Sequence, residues 1–169
     1  MNTCSILRAT VAFGLVLLSS GAIGQQSTLK EQLIGTWTLI SNENVAPDGT
    51  KRQPFSANPR GVLILEANGR YAQVFTRPDR PKFKSNNRLT GTPEEIKAAW
   101  DGALAHFGTW SVIEADKTVI LRVDGSFYPN QEGGEDKRLV ESLTADELRF
   151  ANAASTAGGR TEAVFRRLK

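Results

Sequence analysis

The feature that most constrains the fold of this chain is a series of eight short segments rich in β-branched, aromatic and aliphatic residues, each ended by turn-forming residues. Most connections are short, and Asn68-Gly69 is a dipeptide that readily adopts the positive φ angles of a hairpin turn. Strands joined in this way form an antiparallel meander, and eight of them without a long crossover favour a closed barrel over a sandwich or a parallel sheet. The sequence therefore predicts an all-β, antiparallel up-and-down barrel of eight strands, and ten at most. The eight segments are residues 33–41, 61–66, 70–76, 108–114, 118–123, 137–143, 147–153 and 161–168.

One segment carries the signals of an α-helix. Thr92 and Glu95 are spaced as a capping box, and Pro93 stands at the first helical position. The apolar residues Ile96, Ala99, Trp100, Ala103 and Phe107 then recur at helical spacing and give a single apolar stripe. We predict a helix over residues 93–106 that lies near the barrel mouth as a lid or plug, after a long loop over residues 77–91.

Residues 1–24 have the pattern of a secretory signal peptide. Arg8 supplies the positive charge, an apolar run follows it, and Ala22-Ile23-Gly24 offers a cleavage site. The apolar run is shorter than the about 20 residues of a transmembrane helix. Cys4 is the only cysteine, so the chain beyond the signal cannot form a disulfide framework. We predict a periplasmic or secreted protein without a membrane span, whose domain covers residues 25–169.

The charge of the chain argues against nucleic acid as a partner. The whole chain has 21 basic and 18 acidic residues, and removal of Arg8 with the signal leaves 20 and 18. A nucleic-acid-binding domain usually carries a basic stripe with interleaved aromatic residues. Residues 77–84 come closest to this pattern, but the segment is short, interrupted by proline and typical of a solvated loop.

Two copies of Gly-Thr-Trp begin predicted strands, at residues 35–37 and 108–110, and the sequences after them differ too much for an internal repeat. Gly35 and Trp37 on the first strand, with Arg166 or Arg167 on the last, resemble the pattern of lipocalins and the wider calycins. The resemblance implies that Trp37 packs across the closed end of the barrel against one of these arginines. A guanidinium group can lie on an indole face and donate to nearby carbonyl groups.

The ordered set of motifs is similar to a narrower group, the bacterial and fungal lipocalin-like domain family. Members often carry a histidine at the position of Leu121 or Arg122, so any chemistry that depends on that histidine is not implied for this chain. The matching motifs cover nearly the whole chain after the signal: Gly35-Thr36-Trp37, Gly69-Arg70-Tyr71, Glu94-Glu95, Gly108-Thr109-Trp110, and Pro129-Asn130 with Gly133 and Arg138.

The sequence predicts no catalytic residue, no metal and no cofactor. The only histidine, His106, falls at the end of the predicted helix, where histidine is usually a cap or a surface residue. One histidine in a chain without cysteine beyond the signal is a poor donor set for zinc. A nucleophile elbow and a phosphate-binding glycine loop are both missing from the sequence, so hydrolase and nucleotide-binding functions lack support.

The interior of the barrel is therefore the candidate site. An eight-stranded barrel is just wide enough for side chains to fill it or for one small ligand. Period-two alternation along the strands, together with the family resemblance, predicts the ligand-binding residues Tyr71, Gln73, Phe75, Trp100, Trp110, Leu121, Phe127, Asn130 and Arg138.

We expect from these patterns an exported monomer that binds a small, mainly hydrophobic molecule, with an anionic head group met by Arg138 or by the basic loop of residues 77–88. One alternative is an isomerase or cyclase acting on a hydrophobic molecule inside the barrel, with Tyr71, His106 or an acidic residue as proton donor. The other is a structural envelope protein with a filled barrel. A cavity lined by Asp or Glu beside Tyr71 would favour the enzyme, and a solid interior would favour the structural protein.

Overall fold

The computed structural model describes residues 27–156 and 158–169, so the predicted signal peptide over residues 1–24 lies outside the described residues. Nine strands form one antiparallel sheet in this part of the chain, together with two α-helices and a 3₁₀ turn. The helices are α1 (Leu29–Leu33) and α2 (Pro93–Asp101), and the 3₁₀ turn is Pro129–Gln131. The strands are β1 (Gly35–Val45), β2 (Lys51–Arg52), β3 (Arg60–Leu65), β4 (Arg70–Thr76), β5 (Ala103–Ile113), β6 (Thr118–Ser126), β7 (Glu135–Leu143), β8 (Glu147–Asn152) and β9 (Arg160–Arg167).

The sheet closes into a barrel. From β3 to β9 each strand pairs with the next strand along the chain, and β1 pairs with both β3 and β9. The short β2 pairs with the end of β1 and takes no part in the closure. The barrel therefore has eight strands in up-and-down order, which confirms the predicted fold class.

Helix α2 is shorter than predicted, because it ends at Asp101 and the chain continues as β5 from Ala103. The capping box of Thr92 and Glu95 is formed as expected. The apolar residues after Gly102 are compatible with the periodicity of a helix and with that of a strand. The deciding factor is that β4 needs a partner strand. Thr76 to Gln73 pair with Ala103 to His106, and a helix continued to residue 106 would leave those four residues of β4 without their partners.

Helix α1 closes one end of the barrel. Its first turn is held by a capping box of Thr28 and Glu31 and by Glu114, whose carboxylate accepts hydrogen bonds from the backbone N–H groups of Leu29 and Lys30. Leu33 at its end is fully buried. No helix in the described part of the chain is long and apolar enough to cross a membrane.

Candidate ligand-binding site

The closed end of the barrel is built around Trp37. The guanidinium carbon of Arg167 lies 3.9 Å from the centroid of the Trp37 ring, and the indole N–H donates to the carbonyl oxygen of Leu33 at 2.9 Å. Arg166, the other arginine of the predicted signature, is exposed on the outside of β9. Arg167 also ties the chain ends together, since it donates hydrogen bonds of 2.6 to 2.8 Å to the carbonyl oxygens of Gln32, Ile34 and Ala145.

A cavity of about 540 Å³ lies at the other end of the barrel. Much of its wall is apolar, from Phe75, Leu104 and Val123 on the barrel strands and Phe55 in the loop between β2 and β3. Phe75 is central to this wall, because its ring contacts those of Phe55 and Phe165 at centroid distances of 5.6 and 5.8 Å. The polar residues of the inner wall are Asn42, Asp136, Arg138, Asn152 and Thr161.

An ion pair is buried in the wall of this cavity. Arg138 donates to the Asp136 carboxylate through Nε at 3.1 Å and Nη2 at 2.5 Å, and the two side chains are 8% and 10% exposed. Asn152 donates to Oδ1 of the same carboxylate at 2.7 Å. Buried charges are stable only when paired and hydrogen-bonded. This arrangement meets both conditions and gives the cavity a polar but internally neutralised region.

Asn42 adds an unused amide to the cavity. It is 4% exposed, it lines the cavity, and its side chain makes no hydrogen bond with another described residue. Its neighbour on the same face, Asn44, instead donates to the carbonyl oxygen of Gly158 at 2.6 Å. An amide that faces a cavity and has no partner among the described residues is a group that a ligand or water can satisfy.

A second polar cluster lies between the cavity and the closed end. Nδ1 and Nε2 of His106 are 2.9 Å from the Tyr71 hydroxyl and 3.0 Å from the Gln73 amide nitrogen. Burial, assisted by the positive charge of Arg138, lowers the pKa of His106 from 6.5 to about 4. Burial also raises the pKa of Tyr71, and the negative charge of Asp136 acts in the same direction. The cluster is therefore uncharged at neutral pH.

The rim of the cavity carries a pair of exposed aromatic rings. Trp100 of α2 stacks on Phe127, with ring centroids 4.8 Å apart and planes at 29°, and the two side chains are 44% and 47% exposed. None of the residues of α2 is buried. The helix is held to the preceding loop through Glu95, whose carboxylate accepts from the backbone N–H of Lys84 at 3.0 Å. The stack thus joins a peripheral helix to the segment after β6.

The structure brings some of the nine predicted ligand-binding residues together and separates others. Five of them line the cavity: Phe75, Trp100, Phe127, Asn130 and Arg138. Tyr71 and Gln73 belong to the His106 cluster. Trp110 and Leu121 are buried neighbours on β5 and β6, outside the wall of the cavity. His106 itself was expected at a helix end as a cap or surface residue, and this expectation was wrong, because it is a buried residue of β5 that is 2% exposed.

Sequence reasoning missed four polar residues of the inner wall, Asn42, Asp136, Asn152 and Thr161, and the clearest usable signal was at Asp136. Asp136 stands two positions before Arg138 and thus on the same face of β7. Asn42 was hidden by a shift in register between Leu39 and Ser41, which moves the inward positions of β1 from odd to even numbers. For Asn152 and Thr161 the sequence offered no signal beyond alternation. Among the described residues no group of three or more His, Cys, Asp or Glu is placed to hold a metal ion.

The chain is similar to one protein family and to several solved structures. The family model described as a lipocalin-like domain matches residues 34–167. Three solved structures are similar to the chain at low identity: a lipocalin-like protein from Bacteroides uniformis, a redesigned β-barrel, and a de novo designed fluorescence-activating β-barrel. Their identities are 16%, 12% and 16%, and their TM-scores are 0.44, 0.46 and 0.41. They cover 81%, 85% and 85% of this chain, and 99%, 98% and 100% of their own chains are covered.

A comparison with curated proteins finds no match. The match to the family model covers all eight strands of the barrel, from the start of β1 to the end of β9. The chain therefore belongs to the lipocalin-like domain family.

Proposed function

We propose that this protein is an exported, monomeric binding protein that holds one small, mainly hydrophobic molecule in the cavity at the open end of its barrel. The observation that carries the proposal is the cavity of about 540 Å³, with aromatic and aliphatic walls and a few buried polar groups. Small-molecule sites typically have volumes of about 300 to 1,000 Å³ and this combination of lining residues. No catalytic residue, metal or cofactor forms part of the proposal.

The binding energy would come mainly from apolar burial. A ligand that buries about 300 Å² of apolar surface gains about 7 kcal/mol at about 25 cal/mol per Å². Association costs about 4 kcal/mol or more in lost translational and rotational freedom. The net gain of about 3 kcal/mol corresponds to an affinity in the millimolar range from apolar burial alone, and hydrogen bonds to the polar groups of the cavity would add to it.

The test is to fill the cavity with a larger side chain and to measure by titration calorimetry how an eight-carbon alcohol, octanol, binds to the variant. Leu104 lines the cavity, whereas the next residue, Ala105, is on the opposite face of β5 and outside the cavity wall. We expect Leu104→Trp to weaken octanol binding at least about tenfold, because the new ring takes the volume of the ligand. Ala105→Trp adds the same side chain outside the barrel and should bind as the wild type does. Undiminished binding by Leu104→Trp would contradict the proposal.

An isomerase or cyclase is the second candidate, and one observation favours it: Asp136 lines the cavity, and its charge acts on Tyr71. Against it, both oxygens of Asp136 already accept hydrogen bonds from Arg138, and one also accepts from Asn152. The test is to identify any co-purified molecule by native mass spectrometry and incubate it with wild type and Asp136→Asn. Conversion to an isomer of the same mass by the wild type alone would favour the enzyme.

The third candidate, a filled structural barrel, is disfavoured by the cavity itself.

A further inference from the structure

We propose that the cavity selects amphiphilic molecules whose polar end is uncharged and both donates and accepts hydrogen bonds, such as an alcohol or a primary amide, over carboxylates and ammonium groups. This inference rests on the proposed function and names the ligand class for the same site. It differs from the anionic head group that Arg138 alone suggests in the sequence. Three features of the cavity support it.

The first feature is the state of the buried arginine. Arg138 is bound to Asp136 by two parallel hydrogen bonds, and both side chains are at least nine-tenths buried. A ligand carboxylate that reached the remaining N–H groups of Arg138 would also lie beside the Asp136 carboxylate. Like charges repel strongly in a poorly screened interior. The attraction of the carboxylate to Arg138 is thus offset by its repulsion from Asp136. An ammonium group is attracted to Asp136 and repelled by Arg138 in the same way.

The second feature is the kind of hydrogen-bonding capacity that remains. Nη1 of Arg138 donates to no described residue, so its N–H groups are free for an acceptor. The Asn42 amide, which faces the cavity, has no partner among residues 27–156 and 158–169 and offers both donors and an acceptor. A hydroxyl or amide on the ligand can satisfy groups of both kinds without adding a charge.

The third feature is the charge of the rest of the wall. Among the described lining residues Arg138 is the only lysine or arginine, so the wall offers no second cation for an anion. The acids at the rim, Asp101 and Glu135, are paired with Lys97 and Arg122 and are 53% and 39% exposed. Exposed, paired charges attract a ligand only weakly. An anionic ligand therefore finds no cation in the described wall other than Arg138, whose charge Asp136 already neutralises.

The test compares four eight-carbon probes at pH 7.5 with the wild-type protein: octanol, octanamide, octanoate and octylammonium. We expect the two uncharged probes to bind about tenfold or more tightly than the two charged ones. Octanoate binding as tightly as octanol would overturn the inference and leave the proposed function standing. If none of the four probes binds, both the inference and the proposed function fail.

Charge variants separate this selection from the general cost of burying a charge. Asp136→Asn leaves Arg138 as an unpaired cation, so octanoate should gain about tenfold while octanol changes little. The double variant Asp136→Asn with Arg138→Gln removes both charges and should lose that gain. An octanoate affinity that is unchanged in Asp136→Asn overturns the inference. The wild-type probe series decides the question even if the single variant does not fold.

A variant of Asn42 tests the neutral hydrogen-bonding group by itself. Asn42→Leu keeps a similar volume but removes the amide, so octanol and octanamide should bind several-fold more weakly, and the two probes should lose part of their advantage over octanoate. Unchanged affinities for both uncharged probes would overturn the second feature, that the Asn42 amide takes part in the selection.

Discussion

His106 is the only histidine of the chain, and it is buried between Tyr71 and Gln73 inside the barrel. An imidazole in this place is stable in its neutral form, because protonation would put a charge into the interior near Arg138. In the unfolded chain the same group would titrate at about its usual pKa of 6.5. The difference makes the folding stability depend on pH in a range where few other groups titrate.

We predict that stability falls as the pH is lowered from 7 to 5. The pKa of His106 is about 4 in the folded state and 6.5 in the unfolded state, so acidification protonates the unfolded chain first. The full stability is present above about pH 6.5, and about 2 kcal/mol should be lost by pH 5. Urea denaturation at several pH values measures this loss.

The matched control for this prediction is His106→Gln, which keeps hydrogen-bonding groups but has no proton to gain. The variant is expected to be less stable than the wild type at pH 7, with a free energy of unfolding that stays nearly flat down to pH 5. Since the chain has no other histidine, parallel pH profiles for wild type and variant would contradict the assignment of the effect to His106.

The inner-wall residues explain why the site was only partly predictable from the sequence. Phe75 lies on β4, whose limits and alternation were predicted correctly, whereas Asn130 and Arg138 were selected through the family motif; all three line the cavity. His106 lies beyond the predicted start of β5, so the alternation that makes it an inward residue was not applied to it. Whether an inward residue faces the cavity or the packed half of the barrel depends on its height along the strand, and periodicity does not report height.

At the scale of elements, one extra residue in β1 changes which of its residues point into the barrel. Trp37 and Leu39 point inward, and so do Asn42 and Asn44, because the register shifts between Leu39 and Ser41. Unbroken alternation would have placed Ser41 and Glu43 inside. The position at which α2 ends and β5 begins is likewise not set by the local apolar pattern. It is set by the pairing of β5 with β4.

Helix α2 is the element we expect to gate the cavity. It contributes Trp100 to the rim, it has no buried residue, and a long loop precedes it. The other two tryptophans, Trp37 and Trp110, are 0% and 4% exposed, and neither lines the cavity. Loop-borne elements often admit a ligand and then exclude water from it. Trp100 is thus the natural reporter of ligand entry.

We predict that octanol changes the tryptophan fluorescence of the wild type but has a much smaller effect on Trp100→Phe. Trp110→Phe is the matched control and should respond as the wild type does. Trp100→Ala should bind octanol several-fold more weakly, because the Trp100–Phe127 stack at the rim is lost. Equal fluorescence responses in wild type and Trp100→Phe, with unaltered affinity in Trp100→Ala, would show that α2 takes no part in binding.

At the scale of the whole molecule, the barrel follows from the order of its strands. From β3 to β9 each strand pairs with the next one along the chain, even where the long segment with α2 separates β4 from β5, and closure needs only that the last strand meets the first. That closure is made by pairs from Trp37 with Arg167 to Val45 with Arg160. Arg167 then lies over Trp37 and donates to the carbonyl oxygens of Gln32 and Ile34, which lie just before β1 at the closed end. The strand count and the signature motif were therefore readable from the sequence, whereas the size of the cavity was not.

Export is the prediction that concerns the molecule as a whole. Residues 1–24 have the charge, apolar run and small-residue end of a signal peptide, and α1 is capped by Thr28, after the expected cleavage point. We expect the native host to contain a product that begins near Gln25, outside the cytoplasm, as intact mass and N-terminal sequencing of cell fractions can determine. Leu15→Arg interrupts the apolar run and should leave an uncleaved product in the cytoplasm. A native wild-type product that still begins at Met1 would contradict export, while the barrel and its cavity would be unaffected, since both are built from residues after the cleavage point.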